Sequence, residues 1–306
     1  MPEVICIGET MTMVAPVDAT PLVSADLFTL HMGGAESTVA LYLAELGHDV
    51  AWASNVGEDP LGRRIVDDIA SYGVDTSLVS FVEDAPTGVY FKDPKGAATT
   101  VHYYRRGSAA SQMSPATLDG LPLQEASLVH VSGINAGLSD SCLDMMRALF
   151  DLCVGSTTRI SFDVNYRPGV WSTAEAGPVL LELVRRADVA FVGRDEAADL
   201  WGTTDANSIG SLIDAGPHRV DTLVVKDSDV GATEIASAGM TFVPAHRVDV
   251  VEVVGAGDAF AAGYLSGLLN GRNARERLSL GHDLAARALS STNDYVPAIT
   301  SVRAHG

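Results

Sequence analysis

The stretch Ile160-Ser161-Phe162-Asp163-Val164-Asn165-Tyr166-Arg167-Pro168 begins as a largely apolar run, Ile160–Val164, and ends in a polar cluster. Such a run is typical of a parallel strand covered on both faces, because neither face has to alternate with solvent. Five further runs have the same character: Val4–Gly8, Asp49–Ser54, Leu128–Ser132, Val189–Val192 and Thr222–Lys226. Because helical patterns lie between the runs, they predict an α/β fold, a doubly wound, mostly parallel sheet with helices on both faces.

The helical patterns cover Glu36–Leu46, Leu61–Tyr72, Ser141–Leu152, Val179–Arg186, Glu196–Leu200, Asp258–Asn270 and Arg275–Leu289. Two segments, Met11–His31 and Thr87–Arg105, do not follow this alternation. The second has β-prone runs on both sides of the turn signal Asp93-Pro94-Lys95-Gly96. We expect segments 11–31 and 87–105 to form a small β lid on one domain that spans residues 1–306; an ordinary surface hairpin is the alternative for the second segment.

Composition and charge exclude several classes of protein. The 306 residues carry a formal net charge of −19, which disfavours nucleic acid and anionic membranes as partners. No apolar run approaches the roughly 18 residues that span a bilayer, and Met-Pro-Glu leads directly into an apolar run, not into a signal peptide. Cys6, Cys142 and Cys153 have neither metal nor disulfide spacing. These features predict a cytoplasmic enzyme.

The stretch Val254-Gly255-Ala256-Gly257-Asp258-Ala259-Phe260 opens a helical pattern. Its two glycines allow a tight turn, and backbone N–H groups at a helix start attract anions. Asp258 in the first turn has the chemistry to accept a proton from a hydroxyl that attacks a phosphoryl group. The alternative is a helix start with glycine for packing and an acidic first turn. Neither a dinucleotide GxGxxG motif nor a P-loop is present.

Two other motifs also point to ligand binding. The stretch Gly33-Gly34-Ala35-Glu36-Ser37-Thr38-Val39-Ala40 opens a helix, so its backbone amides can bind a polar ligand. The polar residues at 163–171 follow a predicted strand, and ligands bind at the carboxyl ends of strands in open α/β sheets. There, Arg167 offers a planar fork for a carboxylate or phosphate. A solvated loop arginine is the alternative.

Taken together, these motifs resemble the ribokinase (PfkB) family of carbohydrate kinases over essentially the whole chain. Gly33-Gly34-Ala35-Glu36, Asn55-Val56-Gly57-Glu58-Asp59-Pro60-Leu61-Gly62 and Gly255-Ala256-Gly257-Asp258 follow the order and spacing of the family. Within the family, the chain is most similar to the 2-keto-3-deoxygluconate kinases. That similarity is carried by Tyr103-Tyr104-Arg105-Arg106-Gly107-Ser108-Ala109-Ala110, Ser132-Gly133-Ile134 and Asp163-Val164-Asn165-Tyr166-Arg167-Pro168.

The resemblance implies a role for each matching position. Asp258 would be the catalytic base, and the anion hole for the transferred phosphate would comprise Gly255, Ala256 and Gly257. The sugar-acid site would be lined by Gly34, Tyr90, Tyr103, Arg105, Ile134, Arg167 and Asp294. The nucleotide would lie along Asn165, Lys226, Ser228 and Gly231. Glu196 would help to hold Mg²⁺ through water.

The implied activity is ATP-dependent phosphorylation of a hydroxyl of a small sugar or sugar acid, above all 2-keto-3-deoxygluconate. ATP and Mg²⁺ are the implied cofactors, with a monovalent cation as a further candidate. Family members commonly pair through the lid, so a homo-oligomer, a dimer or higher, is expected. Two alternatives stay open: a kinase for fructose, ribose or a nucleoside, and a sugar-binding regulatory protein without catalytic activity. A sugar acid would need the positive charges of Arg105 and Arg167.

The chain departs from the family pattern in four places. Thr38 stands where the family has Asn, and Gly193 replaces the Asn of the Asn-x-x-Glu element that ends at Glu196. An Asp-Thr pair ahead of the anion hole, near the monovalent-cation site, is replaced by Glu252-Val253. The nucleotide turn reads Asp227-Ser228-Asp229-Val230-Gly231, which brings two carboxylates close to a polyphosphate.

Overall fold

Strands and helices alternate along most of the chain. The computed structural model describes residues 1–18, 20–95, 98–216 and 220–298. Within these ranges the strands are β1 (Val4–Ile7), β2 (Met11–Pro16), β3 (Phe28–Gly33), β4 (Val50–Gly57), β5 (Val79–Val82), β6 (Val89–Lys95), β7 (Ala98–Tyr104), β8 (Leu128–Ser132), β9 (Arg159–Asp163), β10 (Val189–Gly193), β11 (Thr222–Asp227), β12 (Gly231–Ala236) and β13 (Gly239–Pro244). The α-helices are α1 (Ala35–Glu45), α2 (Pro60–Ser71), α3 (Gly133–Ala136), α4 (Asp140–Cys153), α5 (Thr173–Val184), α6 (Arg194–Trp201), α7 (Ala206–Asp214), α8 (Ala256–Leu269) and α9 (Ala274–Leu289).

The main sheet has nine strands in the order β13-β12-β11-β10-β9-β8-β1-β4-β5. Neighbours from β5 to β11 are parallel, and the antiparallel strands β12 and β13 extend one edge. The predicted doubly wound α/β fold is therefore confirmed. Along the chain, β4 and then β5 are added on one side of β1. The next strand of the main sheet, β8, pairs with the other side of β1. The winding reverses between β1 and β8, and in such sheets ligands bind at the carboxyl ends of the strands at this point.

All six predicted strands are present, with ends shifted by at most three residues. The seven predicted helices are also present, although α5 begins at Thr173, six residues before its predicted start. Ser172 and Glu175 cap this helix, and Pro178 lies inside it, so its first turns show little apolar periodicity. The short α3, α7 and the strands β5, β12 and β13 were not predicted. No helix in the described ranges is both long and apolar enough to cross a bilayer.

The core fills both sides of the main sheet because successive strand residues face opposite ways. On β1, Ile5 and Ile7 belong to the cluster that α4 covers through Met145. Val4 and Cys6 belong to the cluster on the other side, to which α1, α2, α8 and α9 contribute. All five of these residues are fully buried. A sheet packed on both faces is a rigid base for a site at its edge.

The segments outside the main alternation form a second sheet in the order β3-β2-β6-β7. Strand β2 pairs with β3 antiparallel and with β6 parallel, and β6 pairs with β7 antiparallel. Met13, Tyr90 and Tyr103 lie side by side across three of its strands. Residues 19, 96 and 97 of the predicted lid segments, and 217–219 and 299–306 of the predicted domain, lie outside the described residues. The action of this sheet as the lid of a single domain stays a prediction.

Candidate active site

Two cavities meet at the start of α8. The larger has a volume of about 800 Å³ and lies between the start of α6, the turn after β11, and helices α8 and α9. The smaller, of about 240 Å³, lies where β1, β8 and β9 end and where the second sheet reaches the main one. Ala256 and Gly257 line the larger cavity, whereas Gly255 and Asp258 line the smaller. The first turn of α8 therefore separates two binding spaces and contributes to both.

The two glycines of this turn differ in what surrounds them. Gly255 caps α8 with a φ of +80°, and a Cβ there would lie 2.6 Å from the carbonyl oxygen of Asp294. Any other residue at this position would be strained and would clash. Gly257 lies within α8, and a Cβ there would meet only Lys226 Nζ, at 3.6 Å. The tight turn thus depends on Gly255, while Gly257 leaves space open beside Lys226.

Asp258 faces the smaller cavity from the first turn of α8. Asn165 Nδ2 donates a hydrogen bond to Asp258 Oδ1 at 3.1 Å. Burial, and then the charge of Asp163, raises the pKa of Asp258 to about 7, although Arg167 and Lys226 act in the opposite direction. A carboxyl group with a pKa near the working pH is well suited to proton transfer. The role of catalytic base stays a prediction for Asp258.

Backbone strain is found at both cavities. Among the described residues, the non-glycine residues with positive φ are Asn165, at 39°, and Ser228, at 42°. Such conformations cost about 1–3 kcal/mol and are often found at functional sites. Ser228 lines the larger cavity as expected, but Asn165 lines the smaller one. Asn165 is therefore a neighbour of Asp258. It is not part of the lining of the larger cavity, along which it was predicted to contact the nucleotide.

The smaller cavity brings together the residues predicted for the sugar-acid site. All seven line it: Gly34, Tyr90, Tyr103, Arg105, Ile134, Arg167 and Asp294. Asp294 is buried, and burial raises its pKa to about 6. Glu36 and Lys92 also line the cavity, and neither was assigned to it beforehand. Both had a weak signal in the sequence, since Glu36 belongs to the 33–40 motif and Lys92 is one of only three lysines.

Arg105 is already paired with a carboxylate. Its Nε donates to Glu9 Oε2 at 2.7 Å, its terminal nitrogen also contacts that oxygen, and Ser108 Oγ donates to Glu9 Oε1 at 2.6 Å. Glu9 is buried just after β1, so this cluster joins the end of β7 to the main sheet. The charge of Arg105 is therefore largely compensated, contrary to the expectation that it offers a free positive charge to a ligand.

Arg167 differs from the other cations of the smaller cavity by its exposure. Its side chain is 49% exposed, against 14% for Arg105 and 5% for Lys92. One terminal nitrogen donates to the carbonyl of Tyr166 at 3.0 Å and lies 3.6 Å from Glu196 Oε1. Within the described part of the chain, most of its N–H donors have no partner and can contact a ligand. Arg167 thus presents positive charge in the cavity that holds Asp258.

The larger cavity contains the other predicted nucleotide residues, Lys226, Ser228 and Gly231. Lys226 Nζ lies 2.6 Å from Asp163 Oδ2. One of the two carboxylates of the nucleotide turn is compensated in the structure, because Arg194 Nε lies 2.7 Å from Asp227 Oδ1. Arg194 itself lines the cavity and was not predicted.

Glu196 links two loops beside this cavity. Its Oε2 accepts a hydrogen bond from Gly193 N at 2.9 Å, and its Oε1 accepts one from Tyr166 N at 3.0 Å. Gly193 is the N-cap of α6, and Glu196 satisfies its amide, so this helix starts without the side chain of the family's Asn. The departure at position 193 therefore leaves Glu196 in place.

The start of α8 lies between two cavities. A carboxyl group lies on one side of it, and backbone amides and a lysine lie on the other. This arrangement suits an enzyme that transfers an anionic group to a hydroxyl. The chain belongs to the pfkB family of carbohydrate kinases, whose sequence model matches residues 1–300. It is therefore a sugar kinase.

Known proteins resemble the chain over nearly its whole length. A 2-dehydro-3-deoxygluconokinase of Bacillus subtilis is 33% identical over 297 residues, which are 95% of this chain and 91% of that protein. A 2-dehydro-3-deoxygalactonokinase of Haloferax volcanii is 30% identical over 287 residues, 93% of this chain and 90% of that protein. The structure of a putative ribokinase II from E. coli, in complex with ATP and Mg²⁺, has a TM-score of 0.86 at 20% identity and covers 96% of this chain and 94% of its own.

The raised pKa of Asp258 predicts a pH dependence. Since a base must be ionised, kcat/KM should fall about tenfold per pH unit below pH 7 and level off above it. The measurement is kcat/KM for the sugar between pH 5.5 and 8.5 with the nucleotide saturating. Burial also raises the pKa of Glu36 to about 7, so Glu36→Gln is the matched control and should keep the same acidic limb. A flat profile would show that no essential base titrates in this range, and a limb that disappears in Glu36→Gln would assign the titration to Glu36.

Proposed function

We propose that this sugar kinase transfers the γ-phosphoryl group of ATP to the primary hydroxyl of 2-keto-3-deoxygluconate. The observation that carries the proposal is the half-exposed side chain of Arg167 in the same cavity of about 240 Å³ as Asp258. A cation with free donors beside the base suits a substrate that carries a carboxylate.

The sizes of the two cavities support one arrangement of the substrates. The larger one, at about 800 Å³, suits a nucleotide, while about 240 Å³ suits a single small sugar. With ATP in the larger cavity, its γ-phosphate would lie against the amides of Ala256 and Gly257, near Lys226. The sugar hydroxyl would lie on the other side of the same turn, next to Asp258.

The reaction then follows from these positions. Asp258 accepts the proton of the hydroxyl, and the sugar oxygen forms a bond to the γ-phosphorus. The bond from that phosphorus to the β–γ bridging oxygen breaks, and ADP keeps the electron pair. Amides at the start of α8 and the ammonium of Lys226 stabilise the charge on the transferred oxygens, because donors held in place before the reaction need no rearrangement when the charge develops.

The residues beside the larger cavity fit magnesium held largely through water. No group of three or more His, Cys, Asp and Glu side chains in the described ranges could hold a metal by itself. However, Asp163 Oδ1 is buried without a hydrogen-bond partner among these residues, and Glu196 lies nearby. Magnesium commonly binds through one or two carboxylates together with phosphates and waters. When bound, it would neutralise charge on the β- and γ-phosphates.

Other acceptors are tested by the same experiments. The size of the smaller cavity disfavours a nucleoside. Fructose and ribose would fit but would leave Arg167 without a carboxylate. The two relatives act on gluconate- and galactonate-type acids, as their names state, so the configuration at the fourth carbon has to be measured. A sugar-binding protein without activity would transfer no phosphate to any acceptor.

Arg167→Ala should lower kcat/KM for the sugar acid by about 10- to 150-fold, since a hydrogen bond to a charged group is worth about 1.5–3 kcal/mol. The loss should be much smaller for a neutral analogue of the same length, which never makes the contact. Arg167→Lys keeps the charge but not the planar fork, and it should recover only part of the loss.

The neutral analogue also serves as the control for folding in this series. Equal losses for the acid and the neutral sugar would show that Arg167 serves the nucleotide or the fold. A terminal nitrogen of Arg167 lies 3.6 Å from Glu196 Oε1, so a role of Arg167 in nucleotide binding or in the fold is a real alternative. The assignment of an acidic sugar would then have to be withdrawn, although the chain would still be a sugar kinase.

An interaction between copies of the chain is also part of the proposal. Phe28 and Leu30 on β3 and Tyr104 on β7 are exposed on the second sheet. The registers place their side chains on the face opposite Tyr90 and Tyr103, which line the smaller cavity. Apolar exposure on this outer face is consistent with the homo-oligomer expected from the sequence.

A further inference from the structure

Lys92 reaches from β6 of the second sheet to the segments that flank the start of α8. Its Nζ lies 2.9 Å from Glu252 Oε1 and donates to the carbonyl oxygen of Thr292 at 2.6 Å. The side chain of Lys92 is 5% exposed and that of Glu252 is 11% exposed. Lysine is seldom buried so deeply, and when it is, it needs such partners.

A carboxylate oxygen and a main-chain carbonyl are oxygen donors of the kind that binds an alkali cation. The resemblance to the family left a monovalent cation as a candidate cofactor in this region, next to Glu252-Val253. Here the cation between Glu252 and Thr292 is the ammonium group of the chain itself. The residues therefore do not fit a free ion at this place.

We propose that Lys92 is a built-in replacement for a monovalent cation, so that the kinase needs no potassium or sodium. Lys92 is a positioning residue that acts through the turn at Gly255. Glu252 lies three residues before Gly255, and Thr292 lies two residues before Asp294, whose backbone packs against Gly255. By holding both segments, the ammonium fixes the shape of the anion-binding turn.

Two further contacts support this role. Val251 N donates to Leu289 O at 2.8 Å, which ties the segment before the turn to the end of α9. Tyr90, two residues before Lys92 on β6, contacts Asp294 Oδ2 through its hydroxyl at 3.4 Å. The same strand of the second sheet thus meets the C-terminal segment at two points.

The first experiment uses the unaltered protein. Its kcat, its KM values and its Tm are measured in potassium chloride and in tetramethylammonium chloride at equal ionic strength, since the tetramethylammonium ion is too large for such a site. We expect less than about a twofold difference in every quantity. Activation of several-fold by potassium, or a higher Tm in potassium, would overturn the proposal.

The second experiment uses a pair of variants. Lys92→Ala opens space beside Glu252, so in tetramethylammonium chloride kcat should fall at least about tenfold, the low end for a lost charged contact. Potassium, ammonium or methylammonium should restore much of the kcat and raise the Tm. Lys92→Met fills the space without a charge, so it should lose activity and gain nothing from these ions.

Full activity of Lys92→Ala in tetramethylammonium chloride, or equal responses of both variants to potassium, would contradict the proposal. The measurement on the unaltered protein can still overturn the proposal even if neither variant folds. The Tm measurements need no sugar, so they still test the proposal if the substrate proposed above is wrong.

Discussion

Asp258→Asn should lower kcat by at least about a hundredfold, since a positioned base contributes roughly 10²–10⁴ in rate. The amide keeps the size of the carboxyl group and an oxygen that can accept the hydrogen bond from Asn165 Nδ2. It can no longer take a proton from the sugar hydroxyl. KM for the sugar and Kd for ATP should change little, because Asp258 contributes chemistry more than binding.

Rapid-quench measurement of a single turnover separates the chemical step from product release. The Tm of the variant is the control for folding, and it should not fall, because the substitution removes a carboxyl group whose burial already raises its pKa to about 7. A correctly folded Asp258→Asn protein that kept most of its single-turnover rate would show that another group is the base.

Gly257→Val should also slow the transfer of the phosphoryl group, but from the side of the turn that faces the larger cavity. A Cβ at this position meets only Lys226 Nζ within 4 Å, so the side chain would extend into the space proposed for the transferred phosphate. Loss of a single donor to a developing anion typically costs about 10²–10³ in kcat. We expect a loss of at least this size, with little change in Tm and with ATP binding partly kept, since the base and ribose would lie elsewhere.

Gly255→Ala is the matched control for this substitution. At a φ of +80° and 2.6 Å from the Asp294 carbonyl oxygen, even a methyl group should lower the Tm. Gly255→Ala should therefore lower both the Tm and turnover, whereas Gly257→Val should lower turnover with little change in Tm. Unchanged kinetics in a folded Gly257→Val protein would exclude an anion hole at the start of α8.

The fold was predictable because its central strands are covered on both faces and so leave continuous apolar runs. The unpredicted strands lie at the edges of the main sheet or, for β12, next to an edge, where burial is incomplete. On β5, for example, Phe81 is 41% exposed, and on β13, Met240 is 50% exposed. An edge strand of this kind has neither a continuous apolar run nor a clear alternation.

The site was predictable only as far as its motifs are local. The turn at 255–258 is a single continuous stretch of sequence, and so is the polar end of β9. The pairs that set the charge of the cavity are not: Arg105 and Glu9 lie 96 positions apart, and Lys92 and Thr292 lie 200 apart. Only the folded chain shows that two of the three cations of the smaller cavity are neutralised, and that Arg167 is the one left exposed.

Transfer of phosphate to the primary hydroxyl of a 2-keto-3-deoxy sugar acid is tested most directly by incubating the protein with Mg-ATP and a panel of acceptors, followed by ³¹P NMR of the products. The panel contains 2-keto-3-deoxygluconate, its galactonate epimer, fructose, ribose and a nucleoside. The predicted result is a phosphate monoester on the primary carbon of 2-keto-3-deoxygluconate, with a kcat/KM at least tenfold above that of any neutral sugar. Preferential phosphorylation of fructose, ribose or the nucleoside, or no transfer to any acceptor, would contradict it.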